Sequence, residues 1–169
     1  VKVFGSATEG ALIKRALKSG IDYEKMRDKR LISGVLPFDS AVKYMATEYF
    51  QNGKSMIFLK GAPEKVLPLT FSKEQSESIL SEIAVFQKQG KRVIAFARKT
   101  GEFFGGDLSR EVKSGGFTYD GYAVIADPVR KDVASSVAAC KKAGIDVKMM
   151  TGDNPVTAAA ISMETGIIT

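Results

Sequence analysis

Two strand-like runs on either side of Asn52-Gly53 constrain the fold more than any other feature of the sequence. "AVKYMATEYF" precedes this dipeptide and "KSMIFLKG" follows it, and both runs alternate between apolar and polar residues. Asn-Gly readily takes the left-handed backbone of a two-residue hairpin turn, and alternation is typical of strands with one buried face. The sequence therefore predicts a β-hairpin over residues 41–61.

Helices and further strands are predicted around this hairpin. "ATEGALIKRALKSG" predicts a helix with Thr8 as its N-cap and Gly20 beyond its end, and a second helix over about 73–88 stops at Gly90. "LISGVLPF" and "KRVIAFARK" predict two more strands. We therefore expect an α/β (α+β) fold, with an antiparallel sheet flanked by helices. The Gly-rich segment 100–117 predicts an irregular surface loop.

The pattern changes after residue 118. "YDGYAVIAD" reads as a continuous apolar strand, and Asp127-Pro128 can start a helix that runs to Gly144. "IDVKMM" predicts another buried strand, "TGDNP" a turn, and "VTAAAISMETG" a helix. Strand, helix, strand and helix with short links are typical of a parallel α/β sheet. Two strands cannot cover both faces of such a sheet, so we expect an incomplete half.

Composition excludes several classes of function. The 169 residues contain no histidine and one cysteine, which excludes His-based triads, His metal sites and an internal disulfide. No apolar run exceeds five residues, so no membrane-spanning helix is predicted. The net charge of +6 suits an anionic ligand such as a nucleotide. The basic residues are dispersed, however, and neither an RNA-recognition motif nor a P-loop is present, which argues against nucleic acid and P-loop chemistry.

A lysine at the end of a predicted strand indicates an anion site. In "KSMIFLKGAPEK", Lys60 closes the strand, Gly61 frees the backbone and Pro63 can begin a helical turn. The turn "TGDNP" is a second candidate, because the helix that follows it presents unpaired N–H groups that favour phosphate. Thr151 offers a hydroxyl there, and Asp153 a carboxylate for Mg²⁺ or water. The same five residues are also ordinary turn and capping chemistry.

Five segments, in this order, resemble signatures of the P-type ATPases. They are "ATEGALI", "LPFDSAVKYM", "KGAPE", "DPVRKDV" and "TGDNPVTAAAI". The resemblance implies a nucleotide-binding domain over residues 1–121 and part of a phosphorylation domain over 122–169, the latter an incomplete haloacid-dehalogenase-like parallel half. "PFDSAVKYM" is most similar to type II pumps, which favours Ca²⁺ as the transported ion and leaves Na⁺, K⁺ and H⁺ open.

The resemblance also implies an ATP site. Phe38 matches the aromatic residue on which adenine stacks, and Lys43 and Met45 would border the adenine pocket from one face of a strand. Lys60 matches the lysine at the pocket floor, and Gly61 would let the nucleotide approach the backbone. A core position for Phe38 and a solvent-exposed position for Lys43 are the plainer alternatives.

Other family roles fall on residues outside this pocket floor. Glu9 resembles the carboxylate that meets the adenine amino group, although a first-turn glutamate also favours a helix dipole. Arg92 resembles an arginine that reaches the phosphate tail, although an arginine at a strand end can simply be solvated. The remaining roles are a hinge at Asp127 and Arg130, and contacts to the transferred phosphoryl group from Thr151, Gly152 and Asp153.

The sequence also departs from the family pattern. It has no Asp-Lys-Thr-Gly motif, which carries the phosphorylated aspartate, and no Gly-Asp-Gly-X-Asn-Asp segment, which helps to hold Mg²⁺. The resemblance thus implies a cytoplasmic fragment of an integral membrane pump that binds ATP or ADP but is inactive alone. Mg²⁺ and the actuator, phosphorylation and transmembrane domains would belong to the full-length enzyme. A free-standing, non-catalytic adenine-nucleotide-binding or regulatory module remains the alternative.

Overall fold

Five strands form one antiparallel sheet in the computed structural model, which describes residues 7–26, 31–102, 106–126, 129–152 and 155–168. Each strand pairs with its neighbours in sequence, in the order β1-β2-β3-β4-β5. This arrangement confirms the predicted antiparallel sheet. The strands are β1 (Ile32–Leu36), β2 (Tyr44–Gln51), β3 (Lys54–Gly61), β4 (Arg92–Gly101) and β5 (Thr118–Ile125).

The predicted hairpin joins β2 to β3. Asn52 has a φ of 54° and Gly53 a φ of 76°, and the flanking residues Gln51 and Lys54 are paired across the turn. Left-handed backbone at both central residues matches the right-handed twist of the two strands. The hairpin prediction is confirmed.

Helices flank the sheet, as predicted. The helix predicted over 73–88 is confirmed: Ser72 caps it, its hydroxyl accepting from the Gln75 N–H while the Gln75 side chain accepts from the Ser72 N–H, and Gly90 follows its end with a φ of 71°. Thr8 lies inside the first helix, so its prediction as an N-cap was wrong. The helices are α1 (Ala7–Lys18), α2 (Tyr23–Met26), α3 (Pro63–Val66), α4 (Lys73–Gln87), α5 (Leu108–Lys113), α6 (Val133–Lys142) and α7 (Pro155–Glu164), with a 3₁₀ turn at Leu67–Leu69.

The core lies on one face of the sheet. Burial alternates along β3, where Ile57 and Leu59 are fully buried and their neighbours are more exposed. These side chains pack with Ala95 of β4, with Val66 of α3 and with Val112 of α5. Tyr44 and Ala46 of β2 belong to the same cluster, so the core joins three neighbouring strands and two short helices.

The segment predicted to be an irregular loop contains α5, which is a correction. The Asp107 carboxylate accepts from the N–H groups of Ser109 (2.9 Å) and Arg110 (3.3 Å), as an N-cap does. Leu108 and Val112 are spaced by one helical turn; Val112 belongs to the core cluster and Leu108, partly buried, packs against it. The glycines on either side obscured this short amphipathic pattern.

The parallel half predicted after residue 118 is not formed by the described residues. β5 pairs antiparallel with β4 and contains the predicted domain boundary at 121/122. Residues 145–150 adopt no regular structure, so the predicted buried strand was wrong; Ile145 is 56% and Met150 96% exposed. A strand becomes buried when it pairs with neighbouring strands in a sheet. Residues 145–150 pair with none of the described strands. Asp127 and Pro128, the predicted helix start, lie outside the described residues, and α6 begins at Val133.

The last helix, α7, confirms the helix predicted after "TGDNP" but packs in an unexpected way. Its hydroxyl residues Thr157 and Ser162 are buried, whereas Val156 and Met163 are exposed. The Thr157 hydroxyl donates to the carbonyl of Lys91, just before β4, at 3.5 Å. Thr157 thus contacts the chain just before β4, whereas the Ser162 hydroxyl lies 3.6 Å from the sulfur of Met149, in the irregular segment before α7. In the part of the chain that the structure describes, no helix is long and apolar enough to cross a membrane.

Candidate functional site

A cavity of about 610 Å³ opens at the sheet edge where β2 begins, β3 ends and β4 begins. These three ends coincide because antiparallel pairing sets Tyr44 of β2 opposite Gly61 of β3, and Gly61 opposite Ala95 of β4. The first turn of α1 and the loop before β2 form further parts of the walls, together with residues from α3, α4 and α7. Every residue that the sequence predicted to contact ATP lines this cavity: Glu9, Phe38, Lys43, Met45, Lys60, Gly61 and Arg92.

Phe38 lies on the loop between β1 and β2, and its side chain is 62% exposed. The alternative of a core phenylalanine is therefore wrong. An exposed ring at a cavity mouth can stack on a planar ligand without first leaving a packed core. The position of Phe38 thus suits the stacking role that the sequence predicts.

Lys43 precedes β2 and has a left-handed backbone with a φ of 58°. The expectation that Lys43 and Met45 share one face of a strand was therefore wrong, because only Met45 belongs to the strand. Both side chains nonetheless line the same cavity. Left-handed backbone is unfavourable for a residue other than glycine, and such residues are frequent at functional sites.

Lys60 and Glu9 form an ion pair beside the cavity. The Lys60 ammonium donates to the Glu9 carboxylate at 3.0 Å, and the two side chains are 31% and 53% exposed. A pair that is this accessible to water stabilises a fold by roughly 0–1 kcal/mol. Its main effect is therefore to hold the two charged groups next to each other in the lining of the cavity.

Arg92, the first residue of β4, reaches the start of α1. Its guanidinium donates to the Thr8 hydroxyl at 2.9 Å. Thr8 also lines the cavity and was not predicted as a site residue. The two residues are 84 positions apart in the sequence, and the local pattern around Thr8 indicated only the start of a helix.

The packing of the fold leaves no room for a side chain at position 61. A Cβ at this position would lie 2.5 Å from both the Lys43 carbonyl oxygen and the Tyr44 Cβ. The Ala62 N–H also donates to that carbonyl at 2.9 Å, which holds the two chain segments together. The close approach that Gly61 permits is therefore that of the β2 start; an approach by a ligand remains a prediction.

The predicted phosphoryl and hinge residues are only partly brought to the site. Gly152 lines the cavity, Thr151 is exposed, and Asp153 lies outside the described residues. Of the hinge pair, Asp127 lies outside the described residues. Arg130 pairs with Asp132 at 3.8 Å, and both side chains are largely exposed.

Charge around the cavity favours an anion. Lys43, Lys60 and Arg92 contribute three cations, against the carboxylates of Glu9 and Glu64. Among the described residues, no group of three or more carboxylate, cysteine or histidine side chains is placed to hold a metal ion. The cavity can thus attract a phosphorylated ligand, while the described side chains offer no metal centre.

A second depression, of about 840 Å³, lies on the open face of the sheet. Its lining includes the apolar side chains of Met56, Phe58 and Phe96, and it shares Met45 and Lys60 with the first cavity. Ligand sites combine apolar walls with a few converging polar groups. The smaller cavity combines apolar walls, such as Phe38 and Met45, with three cationic side chains. It is therefore the stronger candidate for a site that binds an anion.

Comparison with known proteins identifies the family. The family described as "P-type ATPase, cytoplasmic domain N" matches residues 1–132. The chain is 32% identical over 176 residues to probable cation-transporting ATPase F of Mycobacterium tuberculosis, which covers 99% of the chain and 19% of the relative. It is 35% identical over 182 residues to putative calcium-transporting ATPase 11, plasma membrane-type, of Arabidopsis thaliana, covering 99% and 17%.

A third relative agrees with these two. Calcium-transporting ATPase 1 of Lactococcus lactis is 31% identical over 178 residues, covering 99% of the chain and 20% of the relative. The chain thus spans about a fifth of the length of the curated relatives that it matches. The chain belongs to the P-type ATPase family and carries the cytoplasmic domain N of that family over residues 1–132.

Proposed function

We propose that this chain is the ATP-binding region of a cation-transporting P-type ATPase. In the whole pump, ATP bound here would phosphorylate an aspartate elsewhere, and the aspartyl-phosphate would drive a cation across the membrane. One observation carries the proposal: the seven residues predicted to contact ATP come from four separate segments and line a single cavity.

The adenine end of this cavity is its aromatic and apolar side. Stacking of the base on exposed Phe38 would contribute about 1–3 kcal/mol, by analogy with stacking on aromatic platforms. Met45 offers an apolar wall beside it. The Glu9 carboxylate can accept a hydrogen bond from the adenine amino group. Adenine would then be recognised by one stack and one acceptor.

The phosphate end is the cationic side. Lys60 and Arg92 would neutralise part of the charge of a triphosphate, and the bond from Arg92 to Thr8 limits the rotamers of the guanidinium. Lys43 would border the adenine, as the resemblance implies. Mg²⁺ would accompany the phosphates in the full-length enzyme. The described side chains form no cluster that would hold this ion.

Ca²⁺ is the transported ion that the proposal favours. The chain is similar to several proteins named calcium-transporting ATPases, and the "PFDSAVKYM" stretch resembles type II pumps. The alternative is a non-catalytic nucleotide-binding module, which the missing Asp-Lys-Thr-Gly motif favours for the chain taken alone. The gene distinguishes the two candidates. A pump must encode an Asp-Lys-Thr-Gly motif upstream of this region, whereas a non-catalytic module need not.

Titration with ATP followed by NMR tests the proposed site. Amide signals of Phe38, Lys43, Lys60 and Gly61 are expected to shift together and to saturate with one binding constant. Adenosine should shift the Phe38 region most, because it lacks the phosphates that Arg92 would meet. Shifts confined to another surface, or no saturable shifts, would contradict the proposal.

A further inference from the structure

The loop of residues 37–43 carries two of the proposed ATP contacts, Phe38 at one end and Lys43 at the other. The loop lies between β1 and β2 and belongs to neither strand. Its conformation is therefore not fixed by strand pairing and depends on other hydrogen bonds. Three of these bonds converge on one residue, Asp39, which itself does not line the cavity.

Asp39 accepts hydrogen bonds from the loop through both its side-chain carboxylate and its backbone carbonyl. One oxygen of its carboxylate accepts from the Ala41 N–H at 2.6 Å and from the Val42 N–H at 3.3 Å. Its carbonyl accepts from the Lys43 N–H at 2.7 Å. These bonds close a tight turn directly after Phe38, so the side chain of Asp39 replaces the sheet pairing that the loop lacks.

The conformation that the turn imposes is an unfavourable one. Lys43 is held with a φ of 58°, which a residue other than glycine adopts only when its surroundings enforce it. The far side of Lys43 is fixed as well, because its carbonyl accepts from the Ala62 N–H at 2.9 Å. Asp39 on one side and the β3 end on the other thus determine where Lys43 lies.

We propose that Asp39 is the positioning residue of the nucleotide site: its carboxylate holds Phe38 and Lys43 where an adenine nucleotide meets both. This inference rests on the proposed function. Asp39 acts through its hydrogen bonds, because its negative charge, taken alone, would oppose the binding of a triphosphate. The hydrogen bonds of Asp39 should strengthen nucleotide binding, whereas its charge should weaken the binding of ATP. Substitutions can therefore separate the two effects.

Three substitutions at Asp39 separate these effects. Asp39→Asn keeps the side-chain oxygen and removes the charge, Asp39→Ser keeps a shorter and weaker acceptor, and Asp39→Ala removes the acceptor altogether. Each protein is titrated calorimetrically with ATP and, separately, with adenosine, which carries no charge. Urea unfolding of each variant shows whether stability changes. Asp39 is exposed, so the variants are expected to fold.

The expected order of affinity is wild type and Asp39→Asn first, then Asp39→Ser, then Asp39→Ala. Asp39→Ala should weaken ATP and adenosine alike by about tenfold, the scale of one lost stacking contact. Asp39→Asn should stay within about twofold of wild type for adenosine, a change of under about 0.5 kcal/mol. A general loss of stability would not explain an affinity that Asp39→Asn retains and Asp39→Ala loses. That difference would point to the hydrogen-bond acceptor.

One result would overturn the inference: an Asp39→Ala variant that binds adenosine as wild type does. If that variant also binds ATP more tightly, the charge of Asp39 alone accounts for its effect. Failure of wild type to bind either ligand would instead refute the proposed function, so the two failures are distinguishable.

Discussion

The Lys60 ammonium lies 3.0 Å from the Glu9 carboxylate, so two side chains that flank the proposed ATP site are bound to each other across 51 positions of sequence. A ligand that takes a hydrogen bond from Lys60, or gives one to Glu9, must therefore compete with this pair. The competition is mild, because both side chains are accessible to water. The pair keeps both groups at the opening until a ligand arrives.

Lys60→Ala should weaken ATP binding more than adenosine binding. The substitution removes a cation that would face the phosphates, and adenosine has none. The free energy of unfolding should fall by no more than about 1 kcal/mol, since the lost pair is half exposed. Calorimetric titration measures the first effect and urea unfolding the second. Lys65→Ala is the matched control, because Lys65 is exposed and lies outside the cavity; an equal loss of ATP affinity there would point to overall charge.

Phe38→Ala should weaken binding of both ATP and adenosine by about tenfold, the scale of one stacking contact. Stability should hardly change, because the ring is 62% exposed. Phe58→Ala is a suitable control: this ring is 45% exposed and lines only the second depression. Calorimetry with both ligands checks the prediction, and an unchanged affinity of Phe38→Ala would exclude stacking at this position.

Gly61→Ala should destabilise the fold by about 1–3 kcal/mol, the usual cost of overpacking a well-packed site. The new methyl group would meet the Lys43 carbonyl and Tyr44 at 2.5 Å, and the clash is with backbone that cannot simply rotate away. The comparison is Gly152→Ala, where nothing lies within 4 Å of the added Cβ. Urea unfolding measures both variants. Equal midpoints for the two variants would show that β2 and β3 can separate at no cost.

Stability should fall at alkaline pH through Tyr122. A hydrogen bond from Tyr122 to the Glu82 carboxylate raises the pKa of the phenol from its ordinary value of 10.0 to about 12. The unfolded chain loses this proton first, so the contribution is complete below pH 10.0, declines above it and is lost as the pH passes about 12. Absorbance of tyrosinate and the unfolding midpoint, followed through that range, check the prediction. In Glu82→Gln the titration should move toward the ordinary value; an unmoved titration would exclude the carboxylate as the cause.

The chain alone should form no phosphoenzyme with ATP. Phosphoryl transfer requires a nucleophile placed in line with the γ-phosphate, and the sequence has no Asp-Lys-Thr-Gly motif to supply one. Incubation with γ-labelled ATP, followed by acid quench, should leave the protein unlabelled. A pump that contains the motif serves as the positive control. A hydroxylamine-sensitive label on any aspartate of this chain would contradict the expectation.

Local chemistry made much of the sheet predictable. Asn52-Gly53 specifies its turn through its own backbone preference, and Ser72 and Gln75 specify the start of α4 through mutual capping. Both signals lie within a few residues of the structure that they determine. The short helix α5 has a comparable cap in Asp107, but the surrounding glycines favoured a loop.

Features that depend on distant partners could not be predicted in this way. The segment 145–150 carries four apolar residues and was predicted to be a buried strand, yet its burial would require neighbouring strands that its own sequence does not specify. The position of Lys60 at a strand end predicted an anion site, whereas Glu9, Phe38, Lys43, Met45 and Arg92 were predicted as ATP contacts only from family resemblance. The contact of Thr8 with Arg92 joins residues 84 positions apart, and no local pattern encodes it.

The order of the strands bears on how the protein is made. Every hydrogen-bonded strand pair joins neighbours in the sequence, so no strand has to wait for a partner that has not yet been synthesised. The sheet can grow by one strand at a time as the polypeptide leaves the ribosome. The end of β3 meets the start of β4 only after α4 has been translated, and β5 is translated later still. The three strand ends that line the cavity can therefore come together before the last strand of the sheet is added.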